Sequence, residues 1–85
     1  MGAANIAVNS PYQKAVAITA SDAANISTGV ADAVLCLTAG SAVILDAAGS
    51  AALTVPMTAG QLLPLRVVRI NSTGTTGTYA ALYLN

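Results

Sequence analysis

Short apolar runs separated by glycine-containing turns are the feature that most restricts the fold of this sequence. The runs VLCLT (34–38), AVILD (42–46) and AALTVP (51–56) are joined by the short segments AGS and AAGS. Apolar runs of this length, followed by a few residues that include glycine, are typical of β-strands connected by hairpin turns. The sequence therefore predicts a series of antiparallel strands in which each run pairs with the next.

Strand patterns also occur on both sides of this region. KAVAIT (14–19) alternates between small and large apolar side chains, which predicts a strand. LLPLRVVRI (62–70) and TYAALYL (78–84) are two further apolar runs, joined by NSTGTTG (71–77). We expect these two runs to pair as a C-terminal hairpin, with NSTGTTG as a flexible connection whose glycines permit positive φ.

About five or six short strands with glycine-containing turns predict an all-β fold, a small antiparallel β-sandwich or barrel of jelly-roll type. This single domain is expected to cover residues 14–85, preceded by an extended N-terminal arm over residues 1–13 that ends at Ser10-Pro11. Residues 20–33 predict a loop with room for one helical turn. The alternative is a helical interpretation of the alanine-rich segments, because alanine is a strong helix former.

The run from Leu62 to Ile70 does not alternate, because apolar side chains occupy both odd and even positions. Either both faces of one strand are covered, or a bulge between Val67 and Val68 shifts the register. Pro64 has no N–H for a ladder, which predicts an edge or a bulge at that end. We interpret the C-terminal pair as the leading candidate for an assembly surface, with another subunit covering its second face.

The chain is poor in charge, with 55% hydrophobic and 7% charged residues and a net charge of zero. A typical soluble domain has about 25% charged residues, and a net charge near zero promotes association. We therefore expect other protein to cover part of the surface. The alternative is that uncharged polar side chains hydrate the surface well enough.

Groups that support catalysis or metal binding are scarce. The chain has no histidine, the commonest general base, and its single cysteine, Cys36, lies in an apolar run that predicts a buried side chain. Asp22, Asp32 and Asp46 lie in or beside turns, where such side chains bond to nearby backbone. We predict that the protein is not an enzyme, with no catalytic residues, no cofactor and no metal site.

The other classes of partner can be weighed in the same way. Lys14, Arg66 and Arg69 are balanced by three acidic residues, so nucleic-acid binding is not expected. One arginine is expected to pair with an aspartate, and the alternative is that one bridges subunits. No apolar stretch reaches the ~18–20 residues of a transmembrane helix, so no membrane partner is expected.

Tyr79 and Tyr83 share a face of the last strand, where they pack on a sheet or a neighbouring subunit, or stack on a ligand.

Two segments, AVAITASDAANI (15–26) and AGQLLPLRVVRINSTGTTGTYAALY (59–83), resemble the spike-base proteins of gene transfer agents and related tailed-phage particles. The second contains, in order, an Ala-Gly turn, a Leu-Pro-x-Arg-Val-x-Arg strand, a Thr-Gly-Thr-Thr loop and a terminal Leu-Tyr. The chain departs from the family pattern at residues 36–40, where a Tyr-Val-Gly-Gly-like turn is expected, and at Ala20, where a proline is expected. The resemblance implies a β-structured homo-oligomer that sits on the capsid exterior and anchors a fibre, without catalytic residues.

The expected function is therefore that of a virion structural protein, made in the bacterial host cytoplasm, that acts as a spike base or decoration module. Its expected partners are further copies in a pentamer or trimer, the major capsid protein and a spike fibre protein. The alternatives are a tail or neck subunit and a carbohydrate-binding β module. The residues expected at the interface are Ala3, Ile6, Val8 and Tyr12 of the arm, Leu65, Arg66, Val68, Arg69 and Ile70 of the penultimate run, and Tyr79 and Tyr83 of the last strand.

Overall fold

The computed structural model describes residues 11–84 and contains only strands, turns and loops in that range. The all-β prediction is thus confirmed for the described residues. The predicted arm, residues 1–13, lies outside them except for its last three positions. The strands are β1 (Lys14–Ala17), β2 (Ala33–Thr38), β3 (Gly40–Asp46), β4 (Leu53–Met57), β5 (Leu62–Leu63), β6 (Val67–Asn71) and β7 (Thr78–Tyr83).

The strands form two antiparallel sheets that pack face to face. The four-stranded sheet has the order β1-β7-β2-β5 and the three-stranded sheet the order β4-β3-β6. Their inner faces share one core, to which Val34 and Cys36 contribute from one sheet and Ile44 and Ile70 from the other. The domain is therefore an open sandwich, and the predicted barrel alternative is not observed because neither sheet closes on itself.

The predicted pairing of VLCLT with AVILD is wrong, because β2 and β3 belong to different sheets. Only Ala39 separates the two strands, and it carries the chain from one sheet to the other. The next predicted hairpin is confirmed, since β3 pairs with β4 from Gly40 opposite Met57 to Ile44 opposite Leu53. A glycine-containing turn thus precedes either a hairpin or a change of sheet, and the local pattern does not distinguish the two.

The predicted C-terminal hairpin is also wrong. The run 62–70 comprises two strands in different sheets, β5 and β6, separated by residues 64–66, and β7 pairs with β1 and β2 instead. Within β6 the register shifts, because Leu45 faces Arg69 while Asp46 faces Val67, which leaves Val68 as the extra residue. The broken alternation therefore results from a change of sheet and a bulge at Val68, the second of the two explanations offered above, and a covered second face is not needed.

The long loop from residue 18 to residue 32 covers the free edge of β6. The N–H groups of Ser21, Ile26 and Ala31 donate to the carbonyl oxygens of Ile70, Val68 and Val67, respectively, each over 2.9 Å. These bonds satisfy edge acceptors that would otherwise pair with another chain. The loop prediction is confirmed, and the loop contains no helix.

Hydrogen bonds to Asp22 hold this loop against the segment that follows β6. Its two carboxylate oxygens accept hydrogen bonds from the backbone N–H and from the hydroxyl of Thr73. Arg69 Nη1 donates to the backbone oxygen of Asp22 over 2.8 Å. Asp46 accepts from the N–H of Ser50, four residues along, as the turn interpretation predicts. Asp32 accepts instead from the N–H of Leu84, which is distant in the sequence, as Thr73 is from Asp22.

A tight backbone contact joins the two places where the chain changes sheets at one end of the sandwich. A Cβ atom on Gly40 would lie 2.3 Å from the carbonyl oxygen of Thr76, and one on Gly77 would lie 2.3 Å from that of Thr38. Only glycine allows this approach, and Gly77 also has a φ of 82°. Gly49, with a φ of 74°, has nothing within 4 Å of the corresponding position.

We expect Gly77→Ala to reduce the free energy of unfolding by about 3–5 kcal/mol, because a steric clash adds to the cost of left-handed backbone. Gly49→Ala is the matched control. It should reduce the free energy of unfolding by about 1–2 kcal/mol, because the left-handed conformation is its sole cost. Urea denaturation followed by circular dichroism measures both values. Equal losses in the two variants would contradict the packing role assigned to Gly77.

Hydrogen bonds from Thr73, first its hydroxyl and then its N–H, hold the pKa of Asp22 below its ordinary value. The stabilisation from this lowered pKa is complete above the ordinary aspartate pKa and is lost as the pH falls through the folded-state value. We therefore expect Asp22→Asn to lower the melting temperature at pH 6, and the difference from wild type to shrink as the pH falls below the ordinary aspartate pKa. Thermal melts over this pH range test the prediction, and a difference that is constant with pH would contradict it.

Candidate assembly surface

The outer face of the four-stranded sheet consists mostly of alanine and leucine. Residues directly opposite each other in antiparallel strands project from the same face of a sheet, and Val34 and Cys36 point into the core. The intervening positions of β2 and their partners therefore point outward. We call this surface the alanine–leucine face; its residues are Ala15, Ala17, Ala33, Leu35, Leu62, Ala80 and Leu82.

The alanine–leucine face combines apolar exposure with an absence of charge. Leu62 is 41% exposed, Leu35 and Leu82 are half-buried, and Ala15 and Ala17 are exposed, whereas Ala33 and Ala80 are buried. None of its seven residues is ionisable. At one end of the sheet the face meets a polar rim, where the hydroxyl of Thr78 donates to that of Thr38 over 2.8 Å. An apolar centre with a polar rim is the usual composition of a protein interface.

The outer face of the three-stranded sheet is different, because its register brings together polar and apolar side chains. Asn71 faces Val43 and Arg69 faces Leu45, so polar and apolar residues are interleaved. NSTGTTG continues this sheet: Thr75 Oγ1 accepts from the N–H of Val43, and the N–H of Thr76 donates to the carbonyl oxygen of Ser41. The segment is therefore bonded along β3 rather than a free connection, while Gly74 and Gly77 adopt the expected positive φ.

The predicted interface residues from Leu65 to Tyr83 are of three kinds, exposed, half-buried and buried in the core. The exposed and half-buried ones come first along the chain. Leu65 and Arg66 lie exposed between β5 and β6, and Arg66 Nε is 3.7 Å from Asp32 Oδ1. Val68, the bulge residue, and Arg69 are half-buried on β6. The expected arginine–aspartate pairing is thus present at Arg66.

Ile70, Tyr79 and Tyr83 lie in the core of their own chain, with exposures of 1%, 3% and 7%. The hydroxyl of Tyr79 donates to the carbonyl oxygen of Thr76, and that of Tyr83 donates to Gly29. Burial raises the pKa of Tyr79. Since both rings are enclosed, neither is available to stack on a sugar, and the carbohydrate-binding alternative loses the observation that motivated it.

The arm residues Ala3, Ile6 and Val8 lie outside the described residues, so their predicted docking role stays a prediction. Tyr12, the last predicted interface residue of the arm, is half-buried beside the start of β1.

Sequence reasoning missed the alanine–leucine face, although two runs carried a signal for it. VLCL in β2 and YAALYL in β7 are apolar at consecutive positions, the pattern of strands covered on both faces. We interpreted the VLCL run as core alone, and we assigned the C-terminal pair to an assembly surface without identifying Ala80 and Leu82 as its outward residues. No local pattern identified Ala15, Ala17 and Leu62 as part of this face. They share it only because of the order in which the strands pair in the sheet.

The described residues offer little for catalysis or ligand chemistry. No group of three histidine, cysteine, aspartate or glutamate side chains is placed to hold a metal ion within the described range. Cys36 is 1% exposed, and its Sγ–H donates to the carbonyl oxygen of Thr38 over 3.2 Å. A shallow cavity of about 280 Å³ beside Ile18 and Ile26 has no ionisable residue in its lining. The described chain contains no helix long and apolar enough to cross a membrane.

Comparison with known proteins places this fold among virion components. No protein-family model matches the chain, and no curated protein sequence matches it. A chain of the solved structure "Capsid of native GTA particle computed with C5 symmetry", a gene transfer agent particle, matches with a TM-score of 0.77 and 33% sequence identity. The match covers 88% of this chain and 87% of that one. This protein therefore belongs to the same family as that gene transfer agent capsid component and is a structural protein of a phage-like virion.

Proposed function

We propose that the protein is a capsid-exterior module, a spike base or decoration subunit, that self-associates and binds the major capsid protein. The observation that carries the proposal is the exposed, uncharged alanine–leucine face in a domain with only 7% charged residues. The family membership supports the virion setting. The function requires no catalytic group, and the proposed further role is to anchor a fibre.

The size of the alanine–leucine face indicates how it is used. Four strands of four, six, six and two residues, spaced about 4.8 Å apart with about 3.3 Å per residue, give an area of roughly 300 Å². A stable pairwise interface buries about 800 Å² per partner. The face is therefore one of several contacts, which suits a subunit that touches neighbouring copies and the capsid at the same time.

Burial of this face supplies a driving force for assembly. Fully burying a leucine side chain is worth about 1.5–3 kcal/mol, and Leu35, Leu62 and Leu82 are each partly exposed in the isolated chain. Their partial burial contributes a few kcal/mol per subunit on this scale. The absence of charge means that no ion must be desolvated when the face is covered.

We expect Leu62→Lys to weaken self-association or capsid binding at least about tenfold, because a charge would be buried in an apolar contact. Leu53→Lys is the matched control, since Leu53 is 59% exposed on β4, outside the alanine–leucine face. Native mass spectrometry measures self-association, and co-sedimentation with purified capsids measures binding. The wild-type chain remaining a monomer and failing to bind capsids would overturn the proposed function.

Location on the particle is a separate test of the proposed role. A reconstruction of intact particles should show density for this chain on the capsid exterior, at a five-fold or three-fold position for a pentamer or trimer. Density at the tail or neck would instead identify the protein as a subunit of those structures. Density inside the shell would contradict the exterior role.

A further inference from the structure

The long loop that covers the β6 edge is fixed to the four-stranded sheet near both of its ends. The N–H of Ile18 donates to the carbonyl oxygen of Tyr79 over 2.9 Å, which extends the pairing of β1 with β7. Near the other end, the hydroxyl of the core residue Tyr83 donates to the carbonyl oxygen of Gly29 over 3.0 Å. Residues 19–27 lie between these two fixed points, and we call them the strap.

The strap is loosely packed against the rest of the domain. Its half-buried residues are Ala20, Ser21 and Ile26, and the other six are exposed. The cavity of about 280 Å³ lies against it, with Thr19 and Ser21 of one limb and residues 24–27 of the other in its lining. Atoms that line an empty space lack partners on that side. Opening the strap therefore breaks few apolar contacts.

Polar contacts hold the strap closed. The carboxylate of Asp22 accepts from the N–H of Thr73 over 3.0 Å and from its hydroxyl, and Arg69 Nη1 donates to the backbone oxygen of Asp22. The N–H groups of Ser21 and Ile26 add two bonds to carbonyl oxygens of β6. The three bonds at Asp22 are exposed, so water replaces them when the strap opens. Asp22 is therefore the clasp of the strap.

The closed form also leaves two polar atoms of β6 unsatisfied. Arg69 Nε and Asn71 Oδ1 are buried and have no hydrogen-bond partner among the described residues. A buried polar atom without a partner costs free energy that a bond to water would recover. Since Arg69 bonds directly to the strap, opening would admit water to its Nε atom and offset part of the bonds that are lost.

We propose that the strap opens locally while both sheets stay folded, and that its closure keeps the β6 edge from pairing with a second copy of the chain. Opening breaks the bonds of Ser21 and Ile26 and leaves the carbonyl oxygens of Ile70 and Val68 without these partners. An unpaired strand edge is a template for pairing with another chain. The strap does not depend on the alanine–leucine face, which lies on the other sheet.

A second copy is the partner that the β6 edge fits. The edge is identical in every copy, so two opened copies can pair antiparallel about a two-fold axis. The backbone N–H and C=O of one strand residue point to the same side. Since the carbonyl oxygen of Ile70 accepts from the strap, its N–H also points toward the strap and becomes available to the added strand.

Hydrogen exchange of the wild-type chain in low concentrations of urea tests local opening. The amides of Ser21 and Ile26 should exchange through an opening that depends weakly on urea, because little surface is exposed. Amides of the central strand β7 should exchange through global unfolding, with a steep dependence. Equal urea dependence at the two places would overturn the proposal, since the strap would then open only when the sheets unfold.

The variant Asp22→Ala tests the clasp. It removes both bonds from Thr73 and should raise the opening equilibrium constant of the two strap amides at least about tenfold, because hydrogen bonds to a charged group are lost. Asp46→Ala is the matched control, since Asp46 accepts a backbone bond from Ser50 in a turn outside the strap. It should leave exchange of the strap amides unchanged. An unchanged opening constant in Asp22→Ala would overturn the clasp.

Sedimentation velocity tests the guarded edge. At equal concentration Asp22→Ala should contain more associated species than wild type, whereas Asp46→Ala should match wild type. The Ile70 amide should exchange more slowly in the added species than in the monomer. Faster opening without added association, or association that leaves Ile70 unprotected, would overturn pairing at the β6 edge. The comparison is with wild type under the same conditions, so failure of the capsid role would not change these outcomes.

Discussion

The backbone contact between Gly40 and Gly77 and the carbonyl groups beside them is the constraint on which the sandwich depends. At this corner the chain leaves the four-stranded sheet after β2 and returns to it before β7. A Cβ atom on either glycine would lie 2.3 Å from a carbonyl oxygen of the opposite segment. Without side chains at these positions the two crossings pack directly on each other, and β7 continues from this corner to pair with β1 and β2.

The position of β7 explains why one sheet has two apolar faces. As a central strand, β7 has neighbours on both sides, and its residues alternate between the core, with Tyr79 and Ala81, and the outside, with Ala80 and Leu82. The three-stranded sheet lacks this arrangement, because its outer face carries Arg69 and Asn71. The apolar outer sheet face thus lies on one side of the molecule, while Val30, Leu37, Leu53, Leu65 and Leu84 are exposed elsewhere.

Local pattern predicted those features that depend on neighbouring residues. The β3–β4 hairpin, the loop of residues 18–32 and the bond from the Ser50 N–H to Asp46 all followed from composition and turn chemistry. The change of sheet at Ala39 was not predictable in this way, because a short glycine-containing segment serves a hairpin and a corner equally well. The tyrosines were misplaced for a related reason: their spacing gave a common face but not which side of the sheet that face would be.

The sequence by itself determined that this chain forms short strands, contains little charge and offers few groups for catalysis. It also contained the match to a gene transfer agent capsid protein, because the C-terminal third preserves a recognisable order of residues. Only the tertiary structure decided which strands are neighbours, and with that the alanine–leucine face. This face combines residues far apart in the chain, such as Ala17, Leu35 and Leu82, whose proximity depends on long-range pairing rather than on local propensity.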